Sequence, residues 1–148
     1  MKRIIPLILL TCLAFTSCKK NNVLYSQFQS IPSANWHMDS IAHFDYTIAD
    51  TSITYAMRIY IRHNDRYPYQ NIWLYAGDEQ RDSINIYLAD DRGKWYGDTH
   101  NGFIEVPINF GEHLHFRDTG TYHLAIQHGM RDEYLSGVTD VGMELIAE

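Results

Sequence analysis

Eight histidines, two of them spaced as His113-Leu114-His115, are the residues with the most chemistry to offer. On a strand, positions i and i+2 share a face, so both imidazoles would project together. With Glu112 or Asp118 beside them, two neutral imidazoles could begin a zinc or non-haem iron site. A cupin-type site needs in addition a Glu a few residues on and a distant His. The residues after His115 read FRDTGTYH and supply no such Glu. Alternation also puts His123 opposite Tyr122, Leu124 and Ile126, toward solvent. The histidines therefore read as surface groups of an acidic domain, and neither a metal nor another cofactor is expected.

The paired acids Asp78-Glu79, Asp90-Asp91 and Asp132-Glu133 all fall in turn-like stretches. General acid–base work needs a desolvated carboxyl with a raised pKa, whereas acids at turn tips are solvated. Asp90-Asp91-Arg92-Gly93 begins like a calcium loop, but the ligand series stops after two acids. The sequence contains no G-x-S-x-G elbow, P-loop or C-x-x-C, so no nucleophile or phosphate cradle stands out and the chain is not expected to be an enzyme. The aromatics remain. Tyr67-Pro68-Tyr69 leads to Trp73 and Tyr75, and Trp95-Tyr96 follows Gly93-Lys94. Tyr and Trp present large area at low entropic cost, which suits interfaces. Tyr67, Tyr69, Trp73, Trp95 and Tyr96 thus form a candidate interaction surface for a partner protein. The alternative is a platform for stacking sugars, in a carbohydrate-binding sandwich that serves polysaccharide capture.

The N-terminus says where such a surface would operate. MKRIIPLILLTCLAFTSC has a basic n-region (Lys2, Arg3), an apolar run from Ile4 to Phe15 and a small-residue exit at Thr16-Ser17. The run is shorter than the ~20 residues that cross a bilayer, so it reads as a processed leader. A cysteine directly after that exit resembles a bacterial lipoprotein box, with Cys18 as the lipid-bearing mature N-terminus; Phe15 departs from its usual Leu, Val or Ile. Loss of residues 1–17 removes two basic residues and no acid, taking the net charge from −6 to −8. An acidic chain without basic clusters is a poor ligand for nucleic acid. Lys19-Lys20, beside the lipid, would favour anionic headgroups by about 1 kcal/mol each. Of the two cysteines, Cys12 leaves with the leader, so the mature chain holds no internal disulfide.

The elements that position these residues follow period two. In ITYAMRIYIR, Tyr55, Met57, Ile59 and Ile61 share one face, and Thr54, Arg58, Tyr60 and Arg62 the other. Phe44-Tyr46-Ile48, Ile72-Leu74, Ile84-Ile86-Leu88, Tyr122-Leu124-Ile126 and Val141-Met143-Leu145 repeat the pattern. Phe103 to Phe110 reads as extended, with Pro107 placing it at an edge or bulge. Turn residues recur about every 10–15 positions. Only Gln127 to Leu135 could make a short helical turn. The expected fold is an all-β antiparallel sandwich, jelly-roll-like, with about seven to eight strands. Residues 1–17 are read as signal peptide, 18–35 as lipid anchor and a polar tether or edge segment leading into the domain, and 36–148 as a single domain. The tether would allow a reach of roughly 50 Å from the membrane.

Several stretches together resemble a known family, the GldH gliding-motility lipoproteins of the Bacteroidetes. They are YSQFQSIP (Tyr25 to Pro32), Trp36-His37-Met38-Asp39-Ser40, RHNDRYPYQNIWLY, YLADDRGKWYG, GTYHLAIQHGMR and the closing GVTDVGMELI. Their order after the leader carries the resemblance, which spans nearly all of the mature chain. It implies an outer-membrane lipoprotein that supports the gliding machinery and linked protein secretion, with other motility or secretion lipoproteins or envelope proteins as partners. It implies no catalytic or ligand residues. The compact Gly77 to Ser83 turn departs from the longer connection of relatives. Lys19 is not the Asp that retains lipoproteins in the inner membrane, and CKKNN lacks the acidic run that resembles a surface-export signal in this phylum. A periplasm-facing anchor in the outer membrane is therefore expected.

Overall fold

The structure, a computed structural model, describes residues 22–148. Cys18, the leader and its cleavage point lie outside the described residues. In chain order the strands are β1 (Val23–Ser30), β2 (Asn35–His37), β3 (Ala42–Ile48), β4 (Tyr55–His63), β5 (Asn71–Gly77) and β6 (Arg81–Tyr87). They continue as β7 (Asp98–His100), β8 (Phe103–Leu114), β9 (Gly120–His128), β10 (Tyr134–Ser136) and β11 (Val138–Ala147), and a 3-10 turn, Pro32–Ala34, precedes β2. Five strands form one sheet in the order β1-β11-β4-β8-β7, four form a second in the order β3-β9-β5-β6, and β2 pairs with β10 apart. Every pairing is antiparallel. Eight strands have seven residues or more; the remaining three are three-residue pieces, too short to show alternation in sequence.

One core lies between the two large sheets. β3 alternates buried and exposed at every step, sending Phe44, Tyr46 and Ile48 inward. β4 contributes Tyr55, Met57, Ile59 and Ile61, β11 contributes Val141, Met143 and Leu145, and β5 and β9 add Ile72, Leu74, Leu124 and Ile126. Each such aliphatic side chain, fully withdrawn from water, stabilises by about 1.5–3 kcal/mol. The β2–β10 pair closes one end of the sandwich. There Trp36 is 1% exposed and its Nε1–H donates to the Ser40 carbonyl at 2.8 Å. Gly137, between β10 and β11, has φ +92, and a Cβ there would stand 2.3 Å from the Tyr67 backbone nitrogen, so only glycine fits this crossing.

Two expectations need correction, and a third, the edge at Pro107, is met. Residues 18–35 are not a tether throughout, because β1 pairs with β11 from Val23 to Ser30 and the domain begins near residue 22 rather than 36. Its ring anchor is Phe28, laid across Gly142 where a Cβ would come within 2.4 Å of the ring. Only four steps then separate Cys18 from Asn22, a reach of at most about 14 Å instead of 50 Å. Residues 127–135 make no helical turn: β9 ends at His128 and β10 begins at Tyr134. Pro107 pairs with Tyr60 on one side, while β7 reaches only Phe103–Glu105. The strand is thus an edge at the proline, which has no N–H to offer a further partner.

The two ends of the sandwich differ. Asn22, Tyr55, Leu114 and the C-terminus share one, where Ala147 N–H donates to Asn22 O and Glu148 N–H to Thr54 O. The other end gathers His63, the 64–70 and 88–97 loops and the 129–137 segment, tied by Asn64 N–H to Gly137 O and Ala89 N–H to Gln70 O.

Candidate functional site

Four of the five candidate residues line two depressions near the second of these ends, and Tyr96 lines neither. On β5, Ile72 and Leu74 point into the core, so Asn71, Trp73 and Tyr75 must point out. Opposite them β6 presents Tyr87, Asn85 and Ser83 in direct register. β9 pairs with β5 only from Leu74 to Gly77 and then peels away. Loop residues take over its role: Gly129 N–H donates to Trp73 O at 2.7 Å, and Trp73 N–H donates to Met130 Sδ at 3.2 Å. The departure opens a groove of about 430 Å³ lined by Tyr69, Asn71, Trp73, Tyr75, Ser83 and Arg131, among others. Trp73 is 43% exposed in it. The Tyr75 ring lies on Gly129, whose absent Cβ would sit 2.9 Å from it.

The second depression, about 330 Å³, is lined by Tyr67, Pro68, Tyr69, Gln70, Asp91 and Trp95, among others. Tyr67 is not part of an open surface. It is 3% exposed, its hydroxyl donates to Asn71 O at 2.8 Å, and burial drives its pKa well above the usual phenol range. Its ring supports Tyr69, Trp95 and His63 from beneath. Trp95 is half-buried and meets His63 edge-on at 4.5 Å. Tyr69 and Tyr96 are exposed, with Tyr96 fixed by its N–H to Leu88 O. Trp73 and Trp95 therefore do not share one platform; Tyr69 is the residue common to both depressions.

Several sites escaped the reading of the sequence. His63 is fully buried, with Nδ1–H facing Asn64 O at 3.1 Å and Nε2 unpartnered. His128 is buried against Trp36, its Nε2–H donating to Trp36 O at 3.0 Å and Nδ1 unpartnered. Burial holds both pKa values below the ordinary 6.5, so both rings are neutral. His63 continues the inward face of β4, which was the available signal. On the outer face of β3 and β9, Asp45 Oδ1 accepts from His123 Nδ1–H at 2.6 Å. That proton leaves His123 Nε2 as an acceptor for His43 Nδ1–H at 3.0 Å. The i, i+2 spacing of His43 and Asp45 was the clue here.

The His113-x-His115 pair loses its premise. His113 has φ +51, which breaks the strand alternation that would put both imidazoles on one face. Its Nδ1 lies 3.0 Å from Glu148 Oε2, and its backbone N–H donates to the same oxygen. Among the described residues no group of three or more His, Cys, Asp or Glu is placed to hold a metal ion, and no helix is long and apolar enough to cross a membrane.

Fold and surface together define an all-β sandwich that carries exposed aromatic grooves at one end. The chain belongs to the GldH lipoprotein family, whose model matches residues 23–145. It is 30% identical over 148 residues to the gliding motility lipoprotein GldH homolog of Christiangramia forsetii, covering 91% of this chain and 90% of that one. It is 28% identical over 152 residues to the gliding motility lipoprotein GldH of Flavobacterium johnsoniae, covering 94% and 93%. No solved structure matches it.

Proposed function

We propose that the protein is a lipid-anchored component of the gliding motility machinery and of the secretion linked to it, acting as a non-enzymatic docking module. The observation that carries this reading is the family match along residues 23–145, in relatives named for gliding motility. In this reading Cys18 bears the lipid and holds the domain at the periplasmic side of the outer membrane. The partners are other motility or secretion lipoproteins or envelope proteins. The aromatic end supports docking by its position. It lies opposite Asn22, and the nine-residue β4 sets the two ends about 30 Å apart at ~3.4 Å per residue. Tyr69, Trp95 and Tyr96 would then face away from the lipid, with Tyr67 as their buried support.

Replacement of Cys18 by Ser in the native cell tests the anchor, and a Tyr96→Ala, Tyr69→Ala double variant tests the surface. The first should release the protein to the soluble fraction, and both should impair spreading and secretion. A soluble Cys18→Ser protein that fully complements a deletion would refute the anchored model. Turnover of a substrate by the purified protein would refute the non-enzymatic one.

A further inference from the structure

We propose that the groove between β5, β6 and the 129–131 loop is a saccharide-binding site that takes a short run of pyranose units. The inference concerns the face around Trp73, which shares only Tyr69 with the surface proposed for docking.

Pyranose rings have apolar C–H faces and hydroxyl edges, so their binding sites combine exposed aromatic planes with hydrogen-bonding groups at the plane's border. Trp73 and Tyr75 supply two such planes, two residues apart on one strand face, and both are 43% exposed. Neither is held by chance. The 129–130 loop bonds both the N–H and the carbonyl of Trp73, and the Tyr75 ring rests on Gly129. A fixed backbone at Trp73 and a seated ring at Tyr75 lower the entropy lost on binding. The border carries Asn71, Ser83 and Arg131. Asn71 Nδ2–H donates to Asn85 Oδ1 at 2.6 Å, which leaves the Asn71 Oδ1 acceptor and the Asn85 amide donors for hydroxyls of either polarity. Arg131 adds a fork of donors.

A sugar fits this lining better than a protein segment does. Met130 is the one aliphatic side chain in the lining, which is otherwise aromatic and polar, whereas a groove for an amphipathic peptide is mainly aliphatic and hydrophobic. No carboxylate is among the lining side chains, but Asp132 hydrogen-bonds the Tyr69 hydroxyl at the border, which favours neutral sugars. Its volume of about 430 Å³ lies within the range of small-ligand clefts, ~300–1,000 Å³.

The full-length acylated protein in detergent micelles is tested on an array of neutral and acidic oligosaccharides, and positives are titrated by tryptophan fluorescence. At least one pyranose oligomer should bind saturably. Trp73→Ala should weaken it by about tenfold or more, and so should Ser83→Trp, which fills the groove while leaving Trp73 in place. Leu24→Ser, at an exposed position on β1 in neither depression, should leave the affinity unchanged. Melting curves verify that each variant is folded. A flat array, or binding indifferent to both groove variants, would overturn the proposal. So would a flat array together with a photo-crosslinker at position 73 that captures a protein in cells, which would make the groove a protein site.

Discussion

The outer faces of the two large sheets are built from similar residues and behave differently. On the five-stranded sheet, Phe28 packs on Tyr60 at 5.5 Å and on the bare backbone of Gly142, and the Arg62 guanidinium lies 3.6 Å above the Phe28 ring. Arg62 Nε–H donates to Glu105 at 2.6 Å, and the Tyr60 hydroxyl donates to Glu144 at 2.7 Å. Rings, cation and carboxylates satisfy one another. On the four-stranded sheet Trp73, Tyr75 and Tyr87 are exposed, and the amides beside them keep unused donors and acceptors. The first face holds the domain together and the second is left open. Aromatic content alone does not distinguish the two faces; what distinguishes them is whether the rings are covered.

Substitutions can break or sharpen that contrast. The largest effect should come from Phe28→Ala, which removes the ring that joins β1 to Gly142, Tyr60 and Arg62; a loss of about 2–3 kcal/mol in urea unfolding is expected. Gly142→Ala should follow at about 1–2 kcal/mol, because the new methyl displaces that ring. The buried rings between the faces add a pH response. His63 and His128 are neutral in the fold, with pKa values below 6.5, whereas the unfolded chain takes up protons as pH falls through that value. Stability should therefore be greatest above pH 6.5 and decline as pH drops toward the lower folded values. His63→Phe should flatten the decline in a urea series across pH. On the open face, Gly129→Ala should push the Tyr75 ring outward for under about 1 kcal/mol, altering the groove more than the fold. Trp73→Ala should change stability by no more than about 0.5 kcal/mol; a loss comparable to that of Phe28→Ala would erase the distinction between the faces.

Strands buried on one face were legible in sequence, because alternation in β3, β4, β9 and β11 records their burial directly. β1 was not. VLYSQFQS lies on an edge, mostly exposed on both faces, and is held by backbone pairing and one ring, which leave little periodic trace. The aromatic candidates were legible as a group, yet their division was hidden. Period two states that Trp73 opposes Leu74 but says nothing about which loop will cover Trp95 or Tyr67. The end of β9 that opens the groove depends on where the 129–133 loop turns, and that depends on the Gly129 and Met130 contacts rather than on a local propensity. His63 could have been placed, since it continues the Tyr55-to-Ile61 face.

The N-terminal edge strand has a mechanical consequence. β1 starts at the end of the sandwich where the chain leaves toward residue 18 and runs antiparallel to β11 through seven registered pairs. A pull through the residues before Asn22, resisted at the aromatic end, acts along the strand axis. It loads those hydrogen bonds together in shear and does not peel them open one after another. Phe28, wedged over Gly142 near the far end of the strand, would have to slide across its neighbour for β1 to leave. The first strand therefore works as a clamp that lets the domain bear tension between its N-terminal end and its aromatic end.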